Sequence, residues 1–135
     1  AAGLALFVRE GYRTTKEQQQ IMDDRIKEHE NQGCSKKEAK KKAEEYVAIP
    51  GTSEHQLGLS VDINADTSKC SSDAVYQWLD ENAYKYGFVK RYPEDKTDIT
   101  SINNEPWHYR YVGKDAARTM KQENLCLEEY LIKYK

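Results

Sequence analysis

The sequence predicts an α+β fold, a small antiparallel sheet with helices packed on it. Three observations carry this expectation. Helix signals with capping boxes cluster in the first third of the chain and return at its end. Between residues 88 and 112, short alternating segments are joined by brief connections, which is the pattern of antiparallel pairing. The 135 residues show no repeat, low-complexity tract or interdomain linker, so one domain over 1–135 is expected, large enough to bury a core.

Residues 4–8, LALFV, read as a short buried strand that breaks at Gly11 and Tyr12. Thr15 is the expected N-cap of the first helix, with Gln18 completing a capping box, and Ile21, Met22, Arg25 and Ile26 continue at helical spacing to about Gly33. A second capping box, Ser35 to Glu38, opens the helix KKEAKKKAEEYVAI, which Pro50 and Gly51 close. GTSEHQLG is then a loop, and LSVDI a short strand. Ser71 or Ser72 caps the helix DAVYQWLDENAYKY, with Val75, Trp78, Leu79 and Ala83 facing inward and Gly87 ending it. FVKRY is a strand, PEDKTD a turn, TDITSI a return strand and WHYRYV a further strand. DAARTMKQEN and LEEYLIKY are the closing helices.

Composition restricts the partners. With 21 basic and 23 acidic residues the net charge is -2, so no global field gathers nucleic acid or an anionic membrane. The run from Lys36 to Lys42 is interrupted by Glu38 and followed by Glu44 and Glu45, as on a solvated helix face. Mean hydropathy is -0.96. No run of 18 apolar residues exists, and AAGLALFV is short and lacks a basic leader, so neither a membrane span nor a signal peptide is visible. The abrupt start leads us to expect a truncated N-terminal segment, which is where a membrane anchor would lie. Cys34, Cys70 and Cys126 form no CxxC pair; scattered reduced thiols are expected, with one disulfide plus a free thiol as the alternative.

Two of the three histidines keep company that suggests chemistry. His55 is flanked by Gly51, Ser53 and Gly58, while Asp62 stands between Val61 and Ile63, where a carboxylate is costly to bury unless a cation or several donors satisfy it. His108 lies in EPWHYRYVG, where Pro106 allows a bend that can bring Glu105 to the same side. Two imidazoles and a carboxylate are a ligand set for catalytic zinc, and Glu105 is the candidate base. The HExxH helix motif is absent. The same residues also fit a structural arrangement in which His55 caps a turn, Asp62 pairs with an arginine and His108 packs between Trp107 and Tyr109.

Longer strings add a resemblance. SEHQLGLSVDI resembles the SxHxxGxAxD motif of the VanY-type zinc D-alanyl-D-alanine carboxypeptidases, and EPWHYRYVG their ExWHxRYVG motif. EGYRTTKEQ is similar to their SGYRSxxxQ segment, and GFVKRYPEDKTDITSINNEPWH follows their connecting hairpin; the likeness runs from about Val8 to Gly113. It implies the LAS/hedgehog-like metallopeptidase fold, zinc as cofactor, His55, Asp62 and His108 as its ligands, and Glu105 as catalytic base. Arg13, Gln18 and Ser53 become candidates for holding the substrate, Arg13 also as a catalytic cation, because its planar fork suits a carboxylate or an oxyanion. Trp107 is either a wall of the site or core, as is Tyr109. The implied reaction is release of terminal D-alanine from peptidoglycan stem peptides by a monomer at the cell envelope. L,D-carboxypeptidase, D,D-dipeptidase or endopeptidase activity, or a non-catalytic zinc-bearing binding domain, are the alternatives. Ser60, Glu10, Thr14 and Ser101 depart from the family pattern and bear on pocket shape.

Overall fold

The computed structural model describes residues 2–135. The chain forms β1 (Leu6–Glu10), α1 (Thr15–Asn31), α2 (Lys36–Glu44), β2 (Ser60–Ala65), α3 (Ser72–Asn82), β3 (Phe88–Lys90), α4 (Thr97–Thr100), β4 (His108–Tyr111), α5 (Lys114–Glu123) and α6 (Leu127–Tyr134). The four strands make one antiparallel sheet in the order β1-β2-β4-β3. The expected α+β class is what the chain adopts.

The core sits where α3 lies on the sheet. Val75, Leu79 and Ala83 bury against Ala65 and Tyr109, with Trp78 only partly covered. A second cluster, Val89, Ala117 and Met120, fixes α5 to β3. α1 and α2 pack chiefly on each other through Met22, Ala43 and Val47. Cys34, Cys70 and Cys126 are free thiols.

Local differences from the expectations have physical causes. β1 is an outer strand with only β2 beside it, so Leu6, Phe7 and Val8 are exposed rather than buried. The cap of α1 falls one residue early, on Thr14: its hydroxyl accepts from Glu17 N–H and the Glu17 carboxylate accepts from Thr14 N–H. An ionised carboxylate is the stronger acceptor there, and Gln18 turns into the interior instead. α2 stops at Glu44, which releases Tyr46 to Ala48 toward the cleft described below. Residues 97–100 form a helical turn, not a return strand. β4 pairs with β3 directly and leaves that segment no ladder partner.

Gly87 ends the turn after α3 with φ +89, and its carbonyl accepts from Val112 N–H at 2.9 Å. A Cβ there would lie 2.7 Å from Tyr111 Cε2 and 3.1 Å from the Gly113 carbonyl carbon. Gly87→Ala should therefore cost on the order of 2–3 kcal/mol in urea unfolding, through both the left-handed backbone and the clash. Gly33→Ala, at φ +96 but in open space, should cost only about 1–2 kcal/mol. Equal losses would contradict the packing argument.

Candidate metal centre

The sheet register creates the site. Asp62 on β2 stands directly opposite His108, the first residue of β4. Two polar groups are thereby set side by side at one end of the sheet. Just before β4, Glu105 to His108 make a turn in which His108 N–H donates to the Glu105 carbonyl at 3.2 Å. This is the bend Pro106 allows, and it carries Glu105 Oε2 to 3.4 Å from His108 Nδ1.

His55 comes from a short 3-10 turn, Glu54–Leu57, capped by Ser53, whose hydroxyl accepts from His55 N–H. Gly58 leaves that turn at φ +69, a conformation other residues adopt at a cost, and lets the chain enter β2 at once. The β1–α1 loop clamps the turn from the other side. Arg13 N–H donates to the His55 carbonyl at 3.0 Å, and His55 Nδ1 lies 2.8 Å from the Gly11 carbonyl.

These partners assign the protons. A carbonyl only accepts, so His55 Nδ1 is the N–H and its Nε2 carries a lone pair. His108 Nε2 lies 3.2 Å from Glu54 Oε2, a carboxylate held at a pKa of about 2: burial pushes it up, but the His108 hydrogen bond and the neighbouring Arg91 outweigh burial. With the ring neutral, His108 Nδ1 is then also a lone-pair nitrogen. His55 Nε2 and His108 Nδ1 lie 3.2 Å and 3.4 Å from Asp62 Oδ1. All three residues are buried, and Asp62 Oδ1 has no hydrogen-bond partner among the described residues.

Three acceptors without a proton between them converge, their atoms all within 4.8 Å of one another. Such a group repels itself unless a cation sits among it. Two imidazole nitrogens and a carboxylate oxygen fit a zinc site with a place left for water. The second oxygen of Asp62 faces Arg13 Nη2 at 3.4 Å, so the arginine pairing envisaged for Asp62 coexists with the metal-type cluster.

The centre opens into a cleft of about 460 Å³, whose walls include Ile21, Tyr46, Tyr92, Trp107 and Ser53. Arg13 is fixed in this cleft by Glu10 at 3.3 Å and by Gln18 Oε1 at 3.2 Å. Gln18 is itself buried and donates to the Ala48 carbonyl at 2.9 Å, so it orients Arg13. Glu105 lies beside the centre, 6% exposed. Burial, with Asp62 adding repulsion, raises its pKa to about 8 despite Arg13. A divalent cation would draw it down again.

Eight residues singled out in the sequence, His55, Asp62, His108, Glu105, Arg13, Gln18, Ser53 and Trp107, border this one cleft, while Tyr109 lies in the core. Glu54 was missed. It has an acidic neighbour's usual look in sequence, yet it is 9% exposed and accepts from Ser60, Arg91 and Arg110 as well as His108. The available signal was two arginines, Arg91 in FVKRY and Arg110 in WHYRYV, close to the expected sheet core.

Residues 1–114 match the profile of the VanY family, described as D-alanyl-D-alanine carboxypeptidase. A D-alanyl-D-alanine carboxypeptidase of Enterococcus faecalis is 56% identical over 131 residues, covering 97% of this chain and 49% of that protein. The chain spans about half the length of the curated relatives it matches. The solved structure of VanYB in complex with D-alanine-D-alanine superposes with a TM-score of 0.96 at 56% identity, over 98% of this chain and 74% of the other. A mutant of the D,D-pentapeptidase VanY from a VanB-type cassette, in complex with Zn(II), gives 0.93 at 56% identity, over 96% and 72%.

In metal-free protein the Glu105 environment has a pH signature. Its folded pKa, about 8, lies above the ordinary 4.5, so the native state keeps a proton that the unfolded chain releases. The stability this group contributes is fully present below about pH 4.5 and is lost as pH rises toward 8. With chelator present, wild type should lose stability relative to Glu105→Gln over that window, by up to about 1.4 kcal/mol per pH unit. Parallel pH profiles from chemical denaturation would contradict the assignment.

Proposed function

The chain belongs to the VanY family of D-alanyl-D-alanine carboxypeptidases, and we propose that it is a zinc carboxypeptidase that removes the terminal D-alanine from peptidoglycan stem peptides. The observation that carries this reading is the convergence of three unprotonated acceptors beside a buried carboxylate and a fixed guanidinium in one open cleft. On this reading His55, Asp62 and His108 hold zinc through Nε2, a carboxylate oxygen and Nδ1. Zinc held there supplies Lewis-acid activation of water at neutral pH.

The other roles follow from this chain's residues. Glu105, close to the ligand atoms and shielded from bulk solvent, accepts the proton of the attacking water and returns it to the departing amine. Arg13 carries a permanent charge and five N–H donors, of which Glu10, Gln18 and Asp62 take three, and the remainder suit the free carboxylate of the substrate's last residue or the oxyanion. Ser53 and Trp107 contribute to the substrate's surroundings along the cleft. Gln18 serves by holding the guanidinium in place.

A zinc that only braced the fold would have no use for a buried base or a carboxylate clamp, which favours hydrolysis over a binding-only role. Residues 1–135 would act as one catalytic domain, as a monomer, at the cell envelope where the substrate is found. No helix among the described residues is long and apolar enough to cross a membrane.

Replacing Glu105 with Gln should preserve zinc content and lower D-alanine release from a muropeptide pentapeptide by about 10²–10⁴-fold. Unchanged turnover would remove Glu105 from the mechanism. Mass analysis of di-, tetra- and pentapeptides should show the pentapeptide losing one D-alanine; cleavage of the tetrapeptide or dipeptide alone would assign an L,D-carboxypeptidase or a D,D-dipeptidase instead. Arg13→Lys should raise KM for a free-carboxylate peptide more than for its amide, and an equal effect on both would contradict the clamp.

A further inference from the structure

We propose that Glu128, on the C-terminal helix α6, is a positioning residue for the metal centre, acting through Arg91 and Glu54 on the orientation of His108. This rests on the zinc reading above. Glu128 lies outside the 1–114 segment that matches the family profile.

The connection is continuous. Arg91, just beyond β3, places its guanidinium between two carboxylates: Nε donates to Glu54 Oε1 at 2.5 Å, while Nη1 and Nη2 donate to Glu128 Oε2 at 3.0 Å and Oε1 at 2.6 Å. Glu54 Oε1 also accepts from Arg110 at 2.9 Å, and its Oε2 accepts from Ser60 at 2.9 Å and faces His108 Nε2 at 3.2 Å. Arg91 reaches His108 by two further routes. Its backbone N–H donates to the His108 carbonyl at 3.0 Å. Its guanidinium lies 4.7 Å from the centroid of the Tyr92 ring, which packs 5.0 Å from the His108 ring.

The physical need is specific. Nδ1 of His108 is available to a metal only while Nε2 keeps its proton on an acceptor, and that acceptor is Glu54. Glu54 stays in register because donors surround it on both oxygens. Arg91 contributes to this only if its fork cannot swivel, and the two parallel bonds to Glu128 lock the fork. Two arginines against two glutamates also balance the charge of a largely buried group, side-chain exposures running from 10% for Glu54 to 31% for Glu128. With Glu128 neutralised, Arg91 gains freedom and Glu54 loses a fixed partner.

A purely structural alternative is that Glu128 only docks α6. The molecule contains its own control. Glu129, the next residue, also docks this helix, by a 3.0 Å pair with Lys96 and by capping Cys126 N–H, and nothing in that arrangement leads to His108.

The test is zinc affinity of the full chain, read by competition with a chromophoric chelator and accompanied by thermal unfolding of the metal-free protein. Glu54→Gln should weaken zinc binding by about 10–100-fold, and Glu128→Gln by about 10-fold. Glu128→Asp, which keeps the charge, should restore part of the loss. Glu129→Gln should lower unfolding temperature without weakening zinc. If Glu128→Gln and Glu129→Gln reduce affinity alike, or if Glu128→Gln leaves it unchanged, the positioning role is overturned while the zinc reading stands. If wild type binds no zinc, or binds it equally after His55→Ala, the zinc reading itself fails and the inference with it.

Discussion

Everything in this structure turns on an electrostatic conflict. Two imidazole lone pairs and a carboxylate oxygen are held against one another in a buried place, with no proton to share. Left alone, that arrangement is unfavourable by the cost of a buried carboxylate oxygen with no donor facing it. It persists because each member is fixed from behind: His55 by the Gly11 carbonyl, His108 by Glu54, Asp62 by Arg13. The chain thus builds the outer partners that set ring orientation and proton position, as metal-binding histidines require.

The fold supplies these constraints from distant segments. The β2–β4 register sets Asp62 against His108, forty-odd residues apart in sequence yet neighbours across the ladder. A shift in the β1–β2 register between Val8 and Glu10 brings Glu10 opposite Asp62, and the loop beyond it delivers the Gly11 carbonyl and Arg13. The 3-10 turn before β2 then lowers His55 onto Asp62, and Gly58 permits the sharp exit. One slip of the β2–β4 pairing would send Asp62 and His108 to opposite faces. The site is therefore a property of register as much as of residue type.

Two buried glutamates in the same centre are driven in opposite directions. Glu54, ringed by arginines and His108, is held near 2; Glu105, with burial and Asp62 against it, is raised to about 8. The first is a fixed anion that orients a ligand. The second is a carboxyl whose charge responds to what enters the centre. The proposed hydrolysis draws on both kinds of group, and here they are separated by environment alone.

Much of this was legible in the sequence because chemistry and geometry leave marks on residue type. Asp62 between two aliphatic residues signals a buried charge in need of a partner, and Pro106 signals the bend that joins Glu105 to His108. The capping box at Ser35 followed from local spacing and is formed as expected. What escaped was set by tertiary context. Burial of β1 depended on its being an outer strand, the helical turn at 97–100 on β4 having already taken the edge of β3, and the cap at Thr14 on Gln18 being needed inside. Glu54 and Glu128 escaped because a glutamate in a polar stretch looks solvated until the arginines facing it are known. The central claim can be tested most directly by an anomalous difference map from crystals of the purified protein, recorded at the zinc absorption edge. One strong peak is expected within bonding distance of His55 Nε2, an Asp62 oxygen and His108 Nδ1. A peak elsewhere, or none with those three side chains turned apart, would contradict that claim.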